Sequence, residues 1–160
     1  MNHSAKRALA GLLLILMCLA LAGCGAPQQS VPAPSCREIA DQIQAACAFA
    51  GLTDVPENYM EKHLLIDAAD LEEWVMRRDT SGASPEMILV VKVKSSADQA
   101  SIKKAVEEYR EERILQYRDY QPAEVFKLEN SKVLQNGSMI TLVVAPDTAQ
   151  AVSALGSGWN

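Results

Sequence analysis

The sequence is poor in the residues that most enzymes use for acid–base, nucleophilic or metal chemistry. It has two histidines and four cysteines in 160 residues, and aromatic side chains make up 5% of it. It contains no Gly-x-Ser-x-Gly element, phosphate-binding loop or dinucleotide fingerprint. Since no spaced cluster of Cys and His is present either, we expect no transition-metal site and no cofactor.

Positive charge is also in short supply. The chain carries 15 Lys and Arg against 20 Asp and Glu, a formal net charge of −5. A surface that neutralises a phosphate backbone needs an excess of basic side chains. Nucleic acid is therefore not an expected partner.

The one long apolar run lies at the N-terminus. Lys6 and Arg7 precede an apolar stretch over residues 8–21. As a helix this stretch would span about 21 Å at ~1.5 Å per residue, which is less than the ~30 Å hydrocarbon core of a bilayer. A positive start, a short apolar run and small residues before a cleavage site are typical of a signal peptide. We therefore predict a signal peptide over residues 1–23.

The end of this run, Leu21-Ala22-Gly23-Cys24, resembles the lipobox of bacterial lipoproteins. The resemblance implies cleavage between Gly23 and Cys24, a diacylglyceryl group on the Cys24 thiol, and a new N-terminus that is open to N-acylation. It implies a lipoprotein on the extracytoplasmic face of the cell membrane, where each buried CH₂ of an acyl chain contributes about 0.8 kcal/mol. The alternative is an ordinary secretory signal or an uncut membrane anchor.

Residues 24–34 are predicted to tether the domain to the lipid. Three prolines without apolar periodicity favour an extended, semi-stiff spacer of at most about 3.3 Å per residue. Loss of the signal peptide with its two basic residues leaves 137 residues and a formal charge of −7. That length fits one domain, which we place at residues 35–156, with a short tail at 157–160.

Capping signals and periodicity predict that this domain is α+β. Ser35 and Glu38 form a capping box at the start of the first helix. We expect a single layer of about four mainly antiparallel strands with helices packed on it. The predicted order is α-β-β-α-α-β-β-α, with elements at 36–50, 71–78, 87–94, 97–118, 122–128, 132–134, 139–145 and 148–155.

Two of these strands carry further information. The strand at 87–94 begins with residues that are apolar on both faces, so we expect it at the centre of the sheet with a helix covering one side. Asn136-Gly137 separates the last two strands and predicts a hairpin with a type I′ turn.

The order of these elements resembles a known family. The resemblance rests on the run from Leu65-Ile66-Asp67 through Met87-Ile88-Leu89-Val90, the long Glu-rich helix, the Tyr-x-Pro turn, and the strands from Val133 to Ala145 with a short helix after them. Over roughly residues 36–155 the chain is similar to the domain of unknown function 4358, found in lipoproteins of clostridia and related Gram-positive bacteria. The resemblance implies an anchored extracytoplasmic α+β domain, and it implies no activity and no residue roles.

Two local patterns offer candidate catalytic residues, and for each we favour a structural interpretation. His63 is the only histidine after the signal peptide and lies among polar neighbours, so we interpret it as a surface residue rather than a general base. Ser101 and Lys104 match the Ser-x-x-Lys spacing of penicillin-interacting serine enzymes. The partner motifs Ser-Asp-Asn and Lys-Thr-Gly are missing, so we interpret this pair as part of an exposed helix face.

Cys36 and Cys47 are the cysteines outside the signal peptide and the lipidation site. On one helix their Cα atoms would lie about 16 Å apart at ~1.5 Å per residue, too far for the ~7 Å limit of a disulfide. Cys47 is expected in the core, and Cys36 is either an unpaired thiol beside the tether or a reactive thiol with a lowered pKa. We expect the larger aromatic residues in the core rather than in an exposed patch, namely Trp74, Tyr117, Tyr120 and Phe126.

The sequence thus predicts a non-enzymatic binding or accessory module at the cell surface, whose partner is a protein or a wall polymer. One alternative is a small envelope hydrolase, which would need two carboxylates held ~5–9 Å apart across a cleft. Its candidate carboxylates are Asp67, Asp70, Glu72 and Glu73. The other alternative is a small-solute binder, which would need a cavity of about 300 Å³ or more.

Overall fold

One antiparallel sheet forms the centre of the computed structural model, which describes residues 33–160. Its strands are β1 (Leu52–Asp54), β2 (Leu71–Asp79), β3 (Met87–Val93), β4 (Lys132–Asn136) and β5 (Met139–Val144). They pair in the order β1-β2-β3-β5-β4, so β3 is central, as predicted. The sheet has five strands rather than about four, because the prediction missed the three-residue edge strand β1.

The helices connect and cover these strands. The α-helices are α1 (Cys36–Ala46), α2 (Gln99–Tyr120), α3 (Val125–Glu129) and α4 (Thr148–Ser153). The longest, α2, connects β3 to the second half of the sheet, and a turn of 3₁₀-helix at Pro122–Glu124 leads from it into α3. Two further single turns, a π-helix at Met60–Leu64 and a 3₁₀-helix at Ala68–Asp70, lie between β1 and β2.

Helices cover both faces of the sheet, so the expectation of a cover on one side of β3 is wrong. Successive residues of a strand point to opposite faces. Ile88 packs into a core cluster with residues of α1 and α4, and Leu89 packs into a second cluster with residues of α2 and α3. Both side chains have no exposed surface. The domain is therefore a three-layer α/β/α arrangement within the predicted α+β class.

The helix starts follow the capping signals. Glu38 N donates to Ser35 Oγ at 3.2 Å and Ser35 N donates to Glu38 Oε2 at 2.8 Å, which confirms the capping box of α1. The helix ends at Ala46 rather than near residue 50. The chain turns extended at Cys47, and Ala50 N donates at 2.7 Å to the buried carboxylate of Glu86 instead of to a helical carbonyl.

The hairpin between β4 and β5 is present, but its turn differs from the predicted type. Asn136 pairs with Met139, so the two loop residues are Gly137 and Ser138 rather than Asn136 and Gly137. Gly137 has φ +57°, whereas Ser138 is not among the residues with positive φ. A positive φ at the first central position alone is the pattern of a type II′ turn, which explains why glycine is needed there.

The outer edge of β4 is covered by the C-terminal residues. Gln135 N donates to Asn160 O at 2.8 Å, and Asn160 N donates to Gln135 O at 3.1 Å. Trp159 packs against the core cluster of α1 and α4. This contact satisfies backbone groups that would otherwise be open on an edge strand.

Candidate functional site

The predicted lipidation site, Cys24, and the predicted cleavage position after Gly23 lie outside the described residues. Within residues 33–160, no helix is long and apolar enough to cross a membrane. The same residues contain no group of three or more His, Cys, Asp or Glu side chains placed to hold a metal ion.

Ser101 and Lys104 are exposed and do not contact each other through a hydrogen bond. The Ser101 hydroxyl donates to Asp98 Oδ2 at 2.7 Å, and Asp98 caps the start of α2. The Lys104 ammonium forms an ion pair with Glu108 at 2.9 Å, one turn along the helix. Both side chains thus stabilise the exposed helix, in agreement with our interpretation of the sequence.

Two of the four carboxylates that were considered for a hydrolase, Asp67 and Glu72, have local structural roles. Asp67 caps a turn of 3₁₀-helix by accepting from Ala69 N at 2.7 Å. Glu72 pairs with Lys92 at 2.6 Å on the surface of the sheet. A shallow cavity near Leu65 is lined by Asp67 and Glu61 but by none of the other three predicted carboxylates.

Both cysteines of the domain are buried and unpaired. Cys47 is a core residue, as predicted. Cys36 is not a thiol beside the tether: it is fully buried, and its Sγ donates to Glu73 O at 3.5 Å. Burial, together with the charge of Glu73, raises the pKa of Cys36 to about 12. The hypothesis of a reactive Cys36 is therefore wrong, because packing under the sheet outweighs the effect of a helix N-terminus.

We expect both thiols to resist alkylation in the folded protein. At pH 8 the thiolate fraction of Cys36 is negligible, and iodoacetamide cannot reach either buried sulfur. Mass spectrometry should show little labelling in buffer and labelling of both residues in urea. A Ser157→Cys variant, which adds a thiol at an exposed position, should be labelled at once. Rapid labelling of Cys36 in buffer would contradict the buried placement.

The aromatic residues are divided between core and surface. Tyr117 is buried and Trp74 is half-buried against the α2 side of the core. Tyr120 and Phe126 are 56% and 48% exposed, so the expectation that they lie in the core is wrong for these two. Tyr120 is on the surface because its hydroxyl donates to Gly82 O at 2.6 Å, which holds the loop before β3. Phe126 lines a groove of about 390 Å³ with Lys132 and Thr148.

A buried ion pair lies at the start of β3. The Lys127 ammonium donates at 2.7 Å to Glu86 Oε1 and at 2.7 Å to Glu124 Oε2. The side chains of Lys127 and Glu86 are only 12% and 3% exposed. The second carboxylate oxygen of Glu86 accepts from Ala50 N, so this cluster joins α3, β3 and the segment after α1. It borders a groove of about 630 Å³.

In this cluster a serine and a lysine lie within hydrogen-bond distance, unlike Ser101 and Lys104 of the Ser-x-x-Lys pattern. Lys127 Nζ lies 3.3 Å from Ser84 Oγ. Burial alone would lower the pKa of Lys127, but its hydrogen bonds to Glu124 and Glu86 and their charges outweigh burial and raise that pKa. A protonated lysine cannot accept the serine proton. The contact therefore supports folding rather than nucleophilic chemistry.

The loop before β3 is organised by Asp79. Its carboxylate accepts from Ser81 N at 2.8 Å, Ser81 Oγ at 2.7 Å and Ser84 N at 2.9 Å. Burial would raise the pKa of Asp79, but these hydrogen bonds and the nearby charge of Arg78 lower it. Since all these bonds close the loop on itself, Asp79 acts as a structural carboxylate.

A second polar cluster lies between β2, α2 and the π-helical turn, and we call it the tyrosine–arginine cluster. It consists of Tyr59, His63, Arg78, Tyr109, Arg113 and Tyr117. Arg78 Nη1 donates to the Tyr59 hydroxyl at 2.8 Å, and the Tyr59 and Tyr109 hydroxyl oxygens lie 3.0 Å apart. The Arg113 guanidinium carbon lies 4.9 Å from the centroid of the Tyr117 ring.

Burial and nearby charges determine the protonation of His63 and Tyr109 in this cluster. His63 stacks on Tyr59 with ring centroids 4.2 Å apart. Burial, and then the charges of Lys62, Arg78 and Arg113, lower the pKa of His63, so its ring is neutral at pH 7. Burial raises the pKa of Tyr109, so it also stays neutral. Neither Arg78 nor Arg113 forms an ion pair among residues 33–160, although the charge of Arg78 acts on Asp79.

The sequence predicted a surface position for His63 and a core position for Tyr117, and both predictions are confirmed, but it did not predict that these residues belong to one cluster. Its members come from three separate elements, so no local motif joins them. The one available signal is the spacing of Tyr109, Arg113 and Tyr117 at four-residue intervals on α2, which places them on one helix face.

Comparison with known proteins gives a family and no further relative. The family model described as "Domain of unknown function (DUF4358)" matches residues 46–145, within the range over which the sequence suggested the resemblance. No curated protein and no solved structure matches the chain. Because the matched segment is more than half of the 160 residues, the chain belongs to the DUF4358 family of domains of unknown function.

Proposed function

We propose that this protein is a lipid-anchored, extracytoplasmic accessory module that binds a partner at the cell surface and catalyses no reaction itself. The signal-like run and Leu21-Ala22-Gly23-Cys24 support the anchor. The proline-containing spacer supports a domain that sits just off the membrane. Beyond it, Pro34–Asn160 form one compact unit that is able to carry a binding surface.

The tyrosine–arginine cluster is the observation that carries the binding role. In the Glu86–Lys127 cluster, opposite charges pair with each other and so stabilise the fold. In the tyrosine–arginine cluster, Arg78 and Arg113 form no ion pair with any carboxylate of residues 33–160. Half-buried cations that form no ion pair cost free energy of folding, and a ligand of opposite charge would offset that cost.

The two alternative functions, a hydrolase and a small-solute binder, each require a specific structural feature. A hydrolase needs two carboxylates or a nucleophile and a neutral base facing a common cleft, and Lys127 beside Ser84 is held in its protonated form. A small-solute binder needs a cavity, and the groove of about 630 Å³ beside Glu86 has the required volume. We favour the module that binds a surface partner because the unpaired cations lie outside that groove.

The binding role is tested by capture from the cell envelope. The full chain, tagged after Asn160 and expressed in the cells that make it, is solubilised in mild detergent and recovered with whatever it binds. A protein with the same first 34 residues and an unrelated domain is the control for capture through the lipid. We expect one protein or wall fragment at a fixed ratio that rebinds the purified chain saturably. A folded bait that captures only what the control captures would overturn the proposal.

A further inference from the structure

Arg78 and Arg113 form no ion pair with a carboxylate of the described chain. Arg110 forms none either, but its donors are used by Leu128 O, Glu129 O and Ser131 Oγ. Arg77 pairs with Asp41 at 2.7 Å and with Asp54 at 3.0 Å, and Arg118 pairs with Glu129 at 3.0 Å. Arg78 donates to a tyrosine hydroxyl, and Arg113 donates to the neutral side chain of Gln116 at 2.6 Å. Arg113 Nε is buried and has no acceptor among residues 33–160, so contact with a ligand falls to the terminal Nη groups of this partly exposed side chain.

The aromatic rings orient the two guanidiniums. Arg113 lies over the Tyr117 ring at 4.9 Å, and Arg78 lies over the Tyr59 ring at 5.7 Å. A ring covers the flat face of a guanidinium and leaves its in-plane N–H groups directed past the ring edge. Those N–H groups match the paired oxygens of a carboxylate or a phosphate.

The groups around the cluster do not compete for these donors. Asp79 is the acid whose charge is coupled to Arg78, but its oxygens already accept from Ser81 and Ser84, and it forms no ion pair with Arg78. His63 is neutral at pH 7 and Tyr109 is buried. In a chain with more acidic than basic residues, unpaired cations here do not reflect a lack of carboxylates.

We propose that Arg78 and Arg113 bind an oxyanion group of the partner, a phosphate or a carboxylate, with the Tyr59 hydroxyl beside them. The two guanidiniums come from different elements, β2 and α2, and a chain of contacts connects them. Arg78 donates to the Tyr59 hydroxyl, which lies 3.0 Å from the Tyr109 hydroxyl, one helical turn before Arg113. The bound oxyanion supplies the acceptors that the chain does not. This inference rests on the proposed function, because it names the chemistry that the binding module recognises.

The first test is a titration of the mature chain, purified in detergent micelles, with inorganic phosphate and separately with acetate. His63 is the one histidine left after the predicted cleavage, so its ring resonance reports on the cluster by NMR. We expect the chemical shift of this resonance to change saturably with anion concentration. The Kd should be about 1 mM, which corresponds to two charge-assisted hydrogen bonds. The pKa of His63 should rise on binding, since the anion offsets the charges of Arg78 and Arg113.

The two probes distinguish the source of the oxyanion. Tighter binding of inorganic phosphate indicates a phosphate group on the partner, and tighter binding of acetate indicates a carboxylate. A shift that sodium chloride reproduces at the same ionic strength, without saturation, would overturn the proposal for both.

Variants locate the binding. Arg78→Gln and Arg113→Gln should each weaken oxyanion binding at least tenfold, whereas Arg118→Gln, on the same helix but paired with Glu129, should leave it within about twofold. Arg113→Lys keeps the charge without the planar fork and should weaken binding less than Arg113→Gln. Equal binding by all four variants, each checked for folding by circular dichroism, would place the anion elsewhere and overturn the proposal.

These outcomes are separable from those of envelope capture. If the Gln variants lose the oxyanion but still capture the same partner, the inference fails and the proposed function stands. If the purified chain binds the oxyanion saturably but captures nothing, the accessory role fails and the site stands.

Discussion

Replacing Lys127 with methionine is expected to lower the free energy of unfolding by about 3–5 kcal/mol, because removal of one partner leaves a buried charge uncompensated. The group left without its partner is the Glu86 carboxylate, whose side chain is only 3% exposed. Urea denaturation at pH 7 measures the loss. Methionine has a similar length, so it keeps most of the apolar packing of the lysine stem.

An exposed ion pair provides the matched control. Arg118→Met removes the pair with Glu129, whose side chains are both about half exposed, and should cost about 0–1 kcal/mol. If Lys127→Met cost no more than this control, the pair with Glu86 would not be buried as the structure has it.

The pH dependence of the same variant follows from the raised pKa of Lys127. A lysine whose pKa is higher in the folded than in the unfolded state stabilises the fold at all pH values below the unfolded pKa of about 10.4. This stabilisation is lost as the pH rises through the folded pKa. The difference in stability between the wild type and Lys127→Met should thus be constant from neutral pH to about pH 9 and shrink only at more alkaline pH.

The second large effect is expected at the centre of the sheet. Ile88→Ala and Leu89→Ala should each cost about 2–5 kcal/mol, since both side chains are fully buried and each leaves a cavity. Because the two residues point to opposite faces of β3, equal sensitivity tests whether helices cover both faces. Thermal and urea denaturation of the two variants give the comparison.

Leu115→Ala is the control for this pair. Leu115 is on α2 and is 61% exposed, so its truncation should change stability by no more than about 0.5 kcal/mol. If one of the two β3 variants behaved like Leu115→Ala, that face of the sheet would be open to solvent and the three-layer arrangement would be wrong.

The local part of the fold was predictable because local contacts determine it. The Ser35–Glu38 capping box, the apolar run at β3 and the hairpin at Gly137 each depend on neighbouring residues, and each is present. The end of α1 was misplaced because a distant group, the Glu86 carboxylate, binds Ala50 N. Strand β1 was missed because three residues, Leu52–Asp54, carry too little alternation to identify an edge strand.

The layer arrangement and the candidate site depend on contacts between distant residues. The sequence shows that β3 is apolar on both faces, yet it does not show that α1 and α2 lie on opposite sides of the sheet. Cys36 illustrates the same limit, because its position at a helix start suggested exposure and the sheet buries it. In the tyrosine–arginine cluster, Tyr59 and Tyr109 are fifty residues apart in sequence and 3.0 Å apart at their hydroxyls.

Membrane fractionation of wild type and Cys24→Ser, with intact mass as the readout, tests the lipid anchor directly. We expect the wild type in the membrane, beginning at Cys24 and carrying the mass of a diacylglyceryl group. Cys24→Ser should remain an uncut precursor or leave the membrane, and Cys18→Ala should behave like wild type. Mature-sized Cys24→Ser protein in the membrane fraction, or wild type without lipid, would contradict a module anchored through Cys24.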